Sequence, residues 1–493
     1  MAKKILVLQL ARLGDIYQTW PVLRALKRKF PESEIHLLTR RSFAAAATGL
    51  EVISRHWALD TQSIIAPLID EIPKIDESLV VLERFCQSIK AEQFNQVINL
   101  SFSPFSSYLM SQIEAGADRV RGYTRYTDGY LRIPDDGSAY FYAQVGVGKF
   151  NRLHVTDLFA HVADVELQDD DWVFPQPPKF EREGLAFEST DYAVLHIGAS
   201  DMTKTLSASK WLSIARGFLG AWPGDLVLVG SPGEMQIAEH IAAVSGERKP
   251  INLTGKTTLP QLVGLIQGAK LVIGGDSAPV QIASLTGTPV LNISLPSVSF
   301  WETGPRSTGS RILRVASEAE ISAEEITGEA LAMLGGRISA YPAIRVLGRL
   351  FPYLEARPQA GEFEWALLRA IYMGEPFPLS KDAVFAKALG QLSEVNQLAI
   401  QQIASLRKNP KNTAASSILD RVDEVMDHVA RIVVSAEPIV CWFKTEKIRI
   451  GPALMATVIQ QTENIHIKLQ EILDLYLDSK LQKGAEHDDL NVE

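Results

Sequence analysis

The sequence predicts an α/β protein: two successive doubly wound, Rossmann-like domains followed by an all-helical region. Three observations carry this expectation. Short apolar runs alternate with helix-periodic segments as far as about residue 330, a proline- and acid-rich stretch breaks the alternation at 168–190, and beyond 330 only helical periodicity remains. The expected divisions are therefore 1–167, a linker at 168–190, 191–330 and 331–493.

The first unit opens with the apolar run Ile5 to Leu10, the turn Arg12-Leu13-Gly14-Asp15, and a helical pattern through Trp20, Val22, Leu23, Leu26 and Phe30 that Pro31 ends. A second short strand follows at Glu34 to Thr39, so the opening has the connection lengths of a βαβ unit. A strand at Gln96 to Leu100 and a helix at Ser106 to Glu114 continue it. After the linker, strands are expected at Tyr192–Ile197, Asp225–Gly230, Leu271–Ile273 and Pro289–Ile293. Helices are expected between them at Ser209–Leu219, Glu234–Val244, Leu259–Gln267 and Ala278–Thr286. In the last third, Ile418, Val422, Val425, Met426, Val429, Ile432 and Val433 mark one helix face, and Ile459, Thr462, Leu469, Ile472, Leu473 and Tyr476 another. These stripes need partners: an intramolecular bundle, or an oligomerisation or docking surface. The closing GAEHDDLNVE is expected to be a frayed acidic tail.

Composition narrows the function. A chain of 493 residues that is 46% hydrophobic and 22% charged can bury more than one core. The formal charge of −9 argues against nucleic acid as a partner, because surfaces that track phosphates are basic. Cys86 and Cys441 offer neither a disulfide framework nor a zinc site, which fits the cytoplasm. The apolar run near the N-terminus is too short for a signal peptide, and no stretch approaches the ~20 apolar residues of a spanning helix, so any membrane contact is expected to be peripheral.

Ligands of open α/β sheets collect beyond the carboxyl ends of the strands, and four strand-to-helix turns stand out there. At Leu13-Gly14-Asp15 the glycine permits a sharp turn, and the carboxylate can take a proton from a hydroxyl or can simply cap the helix. In His196–Ser200 and Asp201–Lys204, Thr203, Lys204 and Thr205 can donate to an anion; Lys204 suits a diphosphate, or is a solvated surface lysine. In Gly230-Ser-Pro-Gly-Glu234, Glu234 can bind ribose hydroxyls or favour the helix dipole. In Ile273-Gly-Gly-Asp-Ser-Ala-Pro279, two glycines allow close approach, Asp276 or Ser277 caps the next helix, and that helix start can receive an anion or be a plain turn.

Other signals fail. Gly146-Val-Gly148-Lys149-Phe150 lacks the first glycine and the hydroxyl residue of a P-loop, and no GxGxxG follows a strand. Asp169-Asp170-Asp171 sits in the linker and reads as a solvated run. His154, Asp157 and His161 share a helix face without further ligands, so no metal is expected.

Together the turns resemble glycosyltransferase family 9, the ADP-heptose:lipopolysaccharide heptosyltransferases. The likeness runs through Ile5 to Asp15 with Thr19-Trp-Pro21, Arg119-Val-Arg-Gly122, His196 to Lys204, Gly230 to Glu234, Leu253-Thr-Gly-Lys256, and Gly275-Asp-Ser277 to Gly287-Thr-Pro289. It covers about the first 310 residues and leaves the helical region outside. The resemblance implies a GT-B architecture, its two domains facing a cleft, and inverting transfer from a nucleotide sugar without cofactor or metal. Asp15 then matches the general base, with Arg12 and Gly14 on the acceptor side. Thr203 and Lys204 match the diphosphate contacts and Glu234 the ribose contact. The loop of Gly275, Asp276 and Ser277 matches the cradle of donor sugar and phosphate, where Ala278 and Gln281 also stand.

The chain departs from the family pattern at Lys204-Thr-Leu-Ser207, where Lys-x-Trp-Pro is usual, at Gln281, where histidine is usual, and at Ala278, where glycine is usual. These lie on the donor side and leave open another nucleotide sugar, such as a UDP or GDP hexose. A third reading is a non-catalytic assembly protein that recruits a partner through its helices. Arg24, Lys27, Arg28, Lys29, Arg40 and Arg41 suggest an anionic glycan or glycolipid acceptor at the inner membrane surface, or a solvated helix face.

Overall fold

The computed structural model describes residues 3–114, 120–172, 189–199, 201–244, 246–336, 343–349, 353–354 and 361–478. Arg119, Ser200, most of the expected linker and the acidic tail lie outside the described residues. The chain opens with strands β1 (Lys4–Leu8), β2 (Glu34–Arg40), β3 (Arg55–Leu59), β4 (Gln96–Asn99) and β5 (Val120–Gly122). Among them run α1 (Leu13–Lys29), α2 (Thr61–Ile65), α3 (Ile75–Lys90) and α4 (Pro104–Ile113). A hairpin, β6 (Thr124–Arg125) and β7 (Leu131–Arg132), precedes α5 (Asp136–Gln144), α6 (Val155–Ala163) and α7 (Asp169–Trp172). Next come β8 (Tyr192–His196), α8 (Ala208–Ala221), β9 (Asp225–Val229), α9 (Met235–Val244), β10 (Ile251–Asn252), α10 (Leu259–Gly268), β11 (Leu271–Gly274) and α11 (Ala278–Thr286). The second sheet is completed by β12 (Val290–Ser294), α12 (Phe300–Thr303), β13 (Arg311–Arg314), α13 (Ala323–Leu334), β14 (Ile344–Val346) and β15 (Tyr353–Leu354). Five helices follow: α14 (Glu362–Met373), α15 (Ala383–Lys408), α16 (Thr413–Ile432), α17 (Glu437–Ile450) and α18 (Met455–Leu477).

Two compact units emerge. One comprises 1–101, 113–120 and 153–358; the other comprises 102–112, 121–152 and 359–493. The first holds both Rossmann-like sheets. The earlier sheet has the order β3-β2-β1-β4-β5, with β1 parallel to β2 and β4. Ile5, Leu6, Val7 and Leu8 are wholly buried, as expected of a central strand covered on both faces. The later sheet has the order β10-β9-β8-β11-β12-β13-β14-β15. Helix α8 seals it with Trp211, Ile214 and Phe218, packed on Leu195, Leu228 and Ile273.

Beyond residue 330 the expectation of helices alone fails. α13 runs across that boundary, and β14 and β15 extend the sheet antiparallel, β14 on β13 and β15 on β14. Strands of three and two residues are too short to show a period.

The second unit also departs from the linear partition, because residues 121–152, expected in the first domain, belong with the C-terminal helices. α5 packs on α17, and Gln144 Nε2 donates to Tyr372 Oη and to the Pro438 carbonyl, both at 3.2 Å. Lys149 pairs with Glu437, and Arg152 with Glu362 at 2.8 Å. The core of this unit joins Leu367, Phe385, Leu389, Phe443, Leu469 and Leu473. Val422, Met426 and Val429 of one predicted stripe are buried in it, as are Leu469 and Leu473 of the other, so these residues are satisfied within the chain.

The acidic run of the expected linker is not wholly solvated. Asp171 is buried at the end of α7 and takes an ion pair from Arg28 at 2.7 Å. That guanidinium offsets the cost of removing the carboxylate from water.

Candidate active site

All the residues singled out in the first and second sheets lie in the first unit. Asp15 sits in the first turn of α1, where its Oδ2 accepts the Arg12 N–H at 2.8 Å. The capping role is therefore real, and it occupies one carboxylate oxygen. The loop before it is pinned by side chains that the sequence reading passed over. Gln9, fully buried, donates to the Leu100 carbonyl at 3.1 Å and accepts the Ala11 N–H at 3.1 Å, while Arg40 donates to the Ala11 carbonyl. Gly14 does not make the sharp turn expected of it: it lies within the helix, and its backbone is not left-handed. Its face is turned to α11, where an added Cβ would lie 3.6 Å from Gln281 Cγ and 3.7 Å from Ala278 Cα.

The later sheet brings three loops to the same place. After β8, Asp201 caps a short helical turn by accepting both the N–H and the hydroxyl of Thr203 at 2.9 Å, so the Thr203 proton is already committed to a carboxylate. Thr205 is likewise structural, donating to the Ile197 carbonyl and accepting Trp211 Nε1. Lys204 extends toward Asp276, with Nζ 3.9 Å from Oδ2 and only 17% and 14% of the two side chains exposed. Gly275 makes this approach feasible, because a Cβ there would stand 2.7 Å from the Lys204 carbonyl oxygen. After β9, Glu234 folds back on Ser231, accepting its N–H at 2.5 Å and its hydroxyl at 2.6 Å. Its carboxyl carbon lies where a Cβ on Gly198 would be, 2.6 Å away.

Charge couples the two sides. Burial pushes the Asp15 carboxyl above the usual carboxylate range, against the pull of the Arg12 N–H and of the Arg12, Lys204 and Arg40 charges. Burial also pushes Asp276 up to about 6, helped by the Asp15 charge and opposed by Lys204, a Thr303 hydrogen bond and Arg12. Asp15, Lys204, Asp276 and Arg12 thus lie within one another's fields, where a reduced dielectric strengthens every pairwise term. A buried carboxyl raised in this way can exchange a proton, and the cation within its field can attract an anion.

Comparison with known proteins adds to this geometry. The family model described as glycosyltransferase family 9 (heptosyltransferase) matches residues 82–325. Residues 82–325 thus make the chain glycosyltransferase family 9-like. Lipopolysaccharide heptosyltransferase 3 of Escherichia coli is 21% identical over 338 residues, covering 63% of this chain and 92% of that protein. Lipopolysaccharide heptosyltransferase 1 of Campylobacter coli is 23% identical over 304 residues, covering 59% and 83%. Among solved structures, a family 9 glycosyl transferase from Veillonella parvula DSM 2008 aligns with a TM-score of 0.51 and 19% identity over 68% of this chain and 97% of that one. E. coli ADP-heptose lps heptosyltransferase II aligns with a TM-score of 0.50 and 17% identity, covering 68% and 99%. The fold is GT-B, and the chain is a glycosyltransferase.

The departures from the usual family 9 pattern have structural roles. Gln281 is buried, and its Nε2 donates to the Thr303 carbonyl at 2.5 Å, tying α11 to α12. Ala278 contributes its backbone to the contact with α1. The basic cluster does not form a free anionic-lipid patch. Arg24 is buried and donates to the Asp171 carbonyl, and Lys27 donates to the Ser33 carbonyl. Arg28, Lys29 and Arg41 pair with Asp171, Asp164 and Asp60. The charges of Arg24, Arg28 and Lys29 are absorbed there because the end of α1 that carries them abuts α6 and α7. His154 and Asp157 are also committed, to the Gly304 carbonyl and to Arg306. Among the described residues no helix is long and apolar enough to cross a membrane.

Proposed function

We propose that the enzyme transfers a heptose from ADP-heptose to a hydroxyl of an anionic, lipopolysaccharide-type acceptor in the cytoplasm, with inversion and without a metal ion. The observation that carries the reading is the shared field of Asp15 and Lys204, contributed by the first and second sheets of one compact unit. The names of the relatives supply the sugar and the acceptor class.

In this mechanism the free oxygen of Asp15 takes the proton of the acceptor hydroxyl as that oxygen attacks the anomeric carbon. The bond from the anomeric carbon to the diphosphate breaks on the opposite face, and ADP departs with the electron pair. Lys204 and the start of α11 meet the charge that develops on the leaving group, which is the work a divalent ion does in other transferases. In this reading Glu234, beside Gly198, accepts the ribose hydroxyls. Incubation with ADP-heptose and a deacylated lipopolysaccharide core oligosaccharide, in the presence of EDTA, should release ADP and yield the opposite anomer by NMR. Retained configuration, or strict dependence on manganese, would overturn the mechanism.

A second reading keeps the reaction and changes the donor, favoured by the committed side chain of Gln281 where the family usually has histidine. Thermal shifts with ADP, UDP and GDP separate the two, since a ligand at 100 times its Kd stabilises by about 2.7 kcal/mol. The largest shift should come with ADP.

A further inference from the structure

The serine at the head of α11 is held away from the task its position suggests. Ser277 is the N-cap residue, with extended backbone (φ −162°, ψ 170°), yet its side chain caps nothing. Its Oγ lies 3.1 Å from His196 Nδ1 and donates to the Gly275 carbonyl at 3.2 Å. A hydroxyl has one proton, so with that proton on the carbonyl the Nδ1–H of His196 is the donor to Oγ. His196 stands at the end of β8, the strand beside β11, and burial keeps its imidazole neutral by pushing its pKa down to about 4.

The geometry leaves the helix start open. Pro279 has no N–H, and the Val280 N–H already bonds the Ser277 carbonyl at 3.1 Å. The N–H groups of Ser277 and Ala278 donate to no acceptor among the described residues. A serine in the usual capping rotamer would set its oxygen in front of the first turn, in the seat that an anion would take. Lys204 and Asp276 border the same seat.

We infer that His196 is a positioning residue: by donating to Ser277 Oγ it parks the hydroxyl off the end of α11 and keeps that end free for the diphosphate of the donor. The inference rests on the nucleotide-sugar reading above. His196 touches no reacting atom in this scheme. Its loss would let Ser277 swing into the capping rotamer and compete with phosphate.

The test is a double-mutant cycle on the full chain, with ADP and inorganic pyrophosphate as probes in isothermal titration and with steady-state kinetics alongside. His196→Phe keeps a ring without a donor, and His196→Asn keeps a donor near the Nδ1 position. His196→Phe should raise both Kd values roughly 5- to 30-fold, the scale of one N-cap interaction, with kcat at saturating donor changed less than about threefold. His196→Asn should restore binding to within about threefold of the natural protein. Adding His196→Phe to Ser277→Ala should cost less than about threefold, because no hydroxyl remains to swing. The inference is overturned if His196→Phe binds like the natural protein, if its penalty persists undiminished alongside Ser277→Ala, or if Asn damages binding as much as Phe. If the natural protein binds neither probe, the donor reading fails and this inference with it; if it binds both and the cycle shows no coupling, only the inference fails.

Discussion

In the proposed mechanism Asp15 divides its two oxygens between structure and chemistry. Oδ2 accepts the Arg12 N–H and holds the start of α1. Asp15→Asn keeps an acceptor for that bond but no base, so turnover should fall roughly 100- to 10,000-fold with little change in melting temperature. Asp15→Ala should lose the same activity and about 1 kcal/mol of stability with the cap, which a denaturant midpoint will report. Lys204→Ala should weaken donor binding by about 1.5–3 kcal/mol, the scale of a charged hydrogen bond; unchanged titration of ADP would refute the assignment. The pH profile follows from burial. Because Asp15 is raised above ordinary carboxylates, kcat should fall on acidification through that raised value, at a higher pH than a solvated aspartate would give. Asp276 imposes an opposite trend on stability. Its folded pKa of about 6 exceeds the ordinary 3.8, so between these values the native state binds more protons than the unfolded chain, and stability falls as pH rises. Asp276→Asn should remove that slope from the melting curve.

At the scale of elements, two glycines test how the loops meet. A Cβ on Gly275 strikes a backbone oxygen, that of Lys204, and backbone cannot step aside. Gly275→Ala should therefore cost about 1–3 kcal/mol of stability and displace Lys204 from the phosphate seat. A Cβ on Gly198 strikes only the end of the Glu234 side chain, which can rotate. Gly198→Ala should raise the donor KM while leaving the melting temperature nearly unchanged. The sequence made these strand ends legible because long buried strands and their capped helices carry strong periods: α11 lies where expected, Ala278–Thr286. It revealed neither the His196–Ser277 bond nor the Arg40 anchor on Ala11, since both join residues distant in the chain whose pairing depends on strand order. It also misread Thr203 and the basic cluster, because donors count as available only until the fold supplies nearby acceptors.

Across the whole molecule, several histidines are buried as neutral rings. His154 and His196 lie in the first unit and His466 in the second, where it bonds Asn396 at 2.7 Å; each is depressed mainly by burial, His466 to about 3. Below the unfolded value of 6.5 the unfolded chain binds more protons, so each such group removes stability as pH falls, with a slope approaching about 1.4 kcal/mol per pH unit. Thermal unfolding should shift downward from pH 7 to pH 5, and His466→Gln should flatten the second unit's share of that shift. The division into units was the least legible feature of the sequence. Residues 121–152 fall within the first expected domain, but Gln144, Lys149 and Arg152 find their partners on α14 and α17, more than 200 residues downstream. A ribosome delivers the chain from its amino end, so Gln144, Lys149 and Arg152 must wait for these partners until the C-terminal helices emerge. Biosynthesis thus gives the C-terminal helices a chaperone's duty toward a segment of the chain's first third.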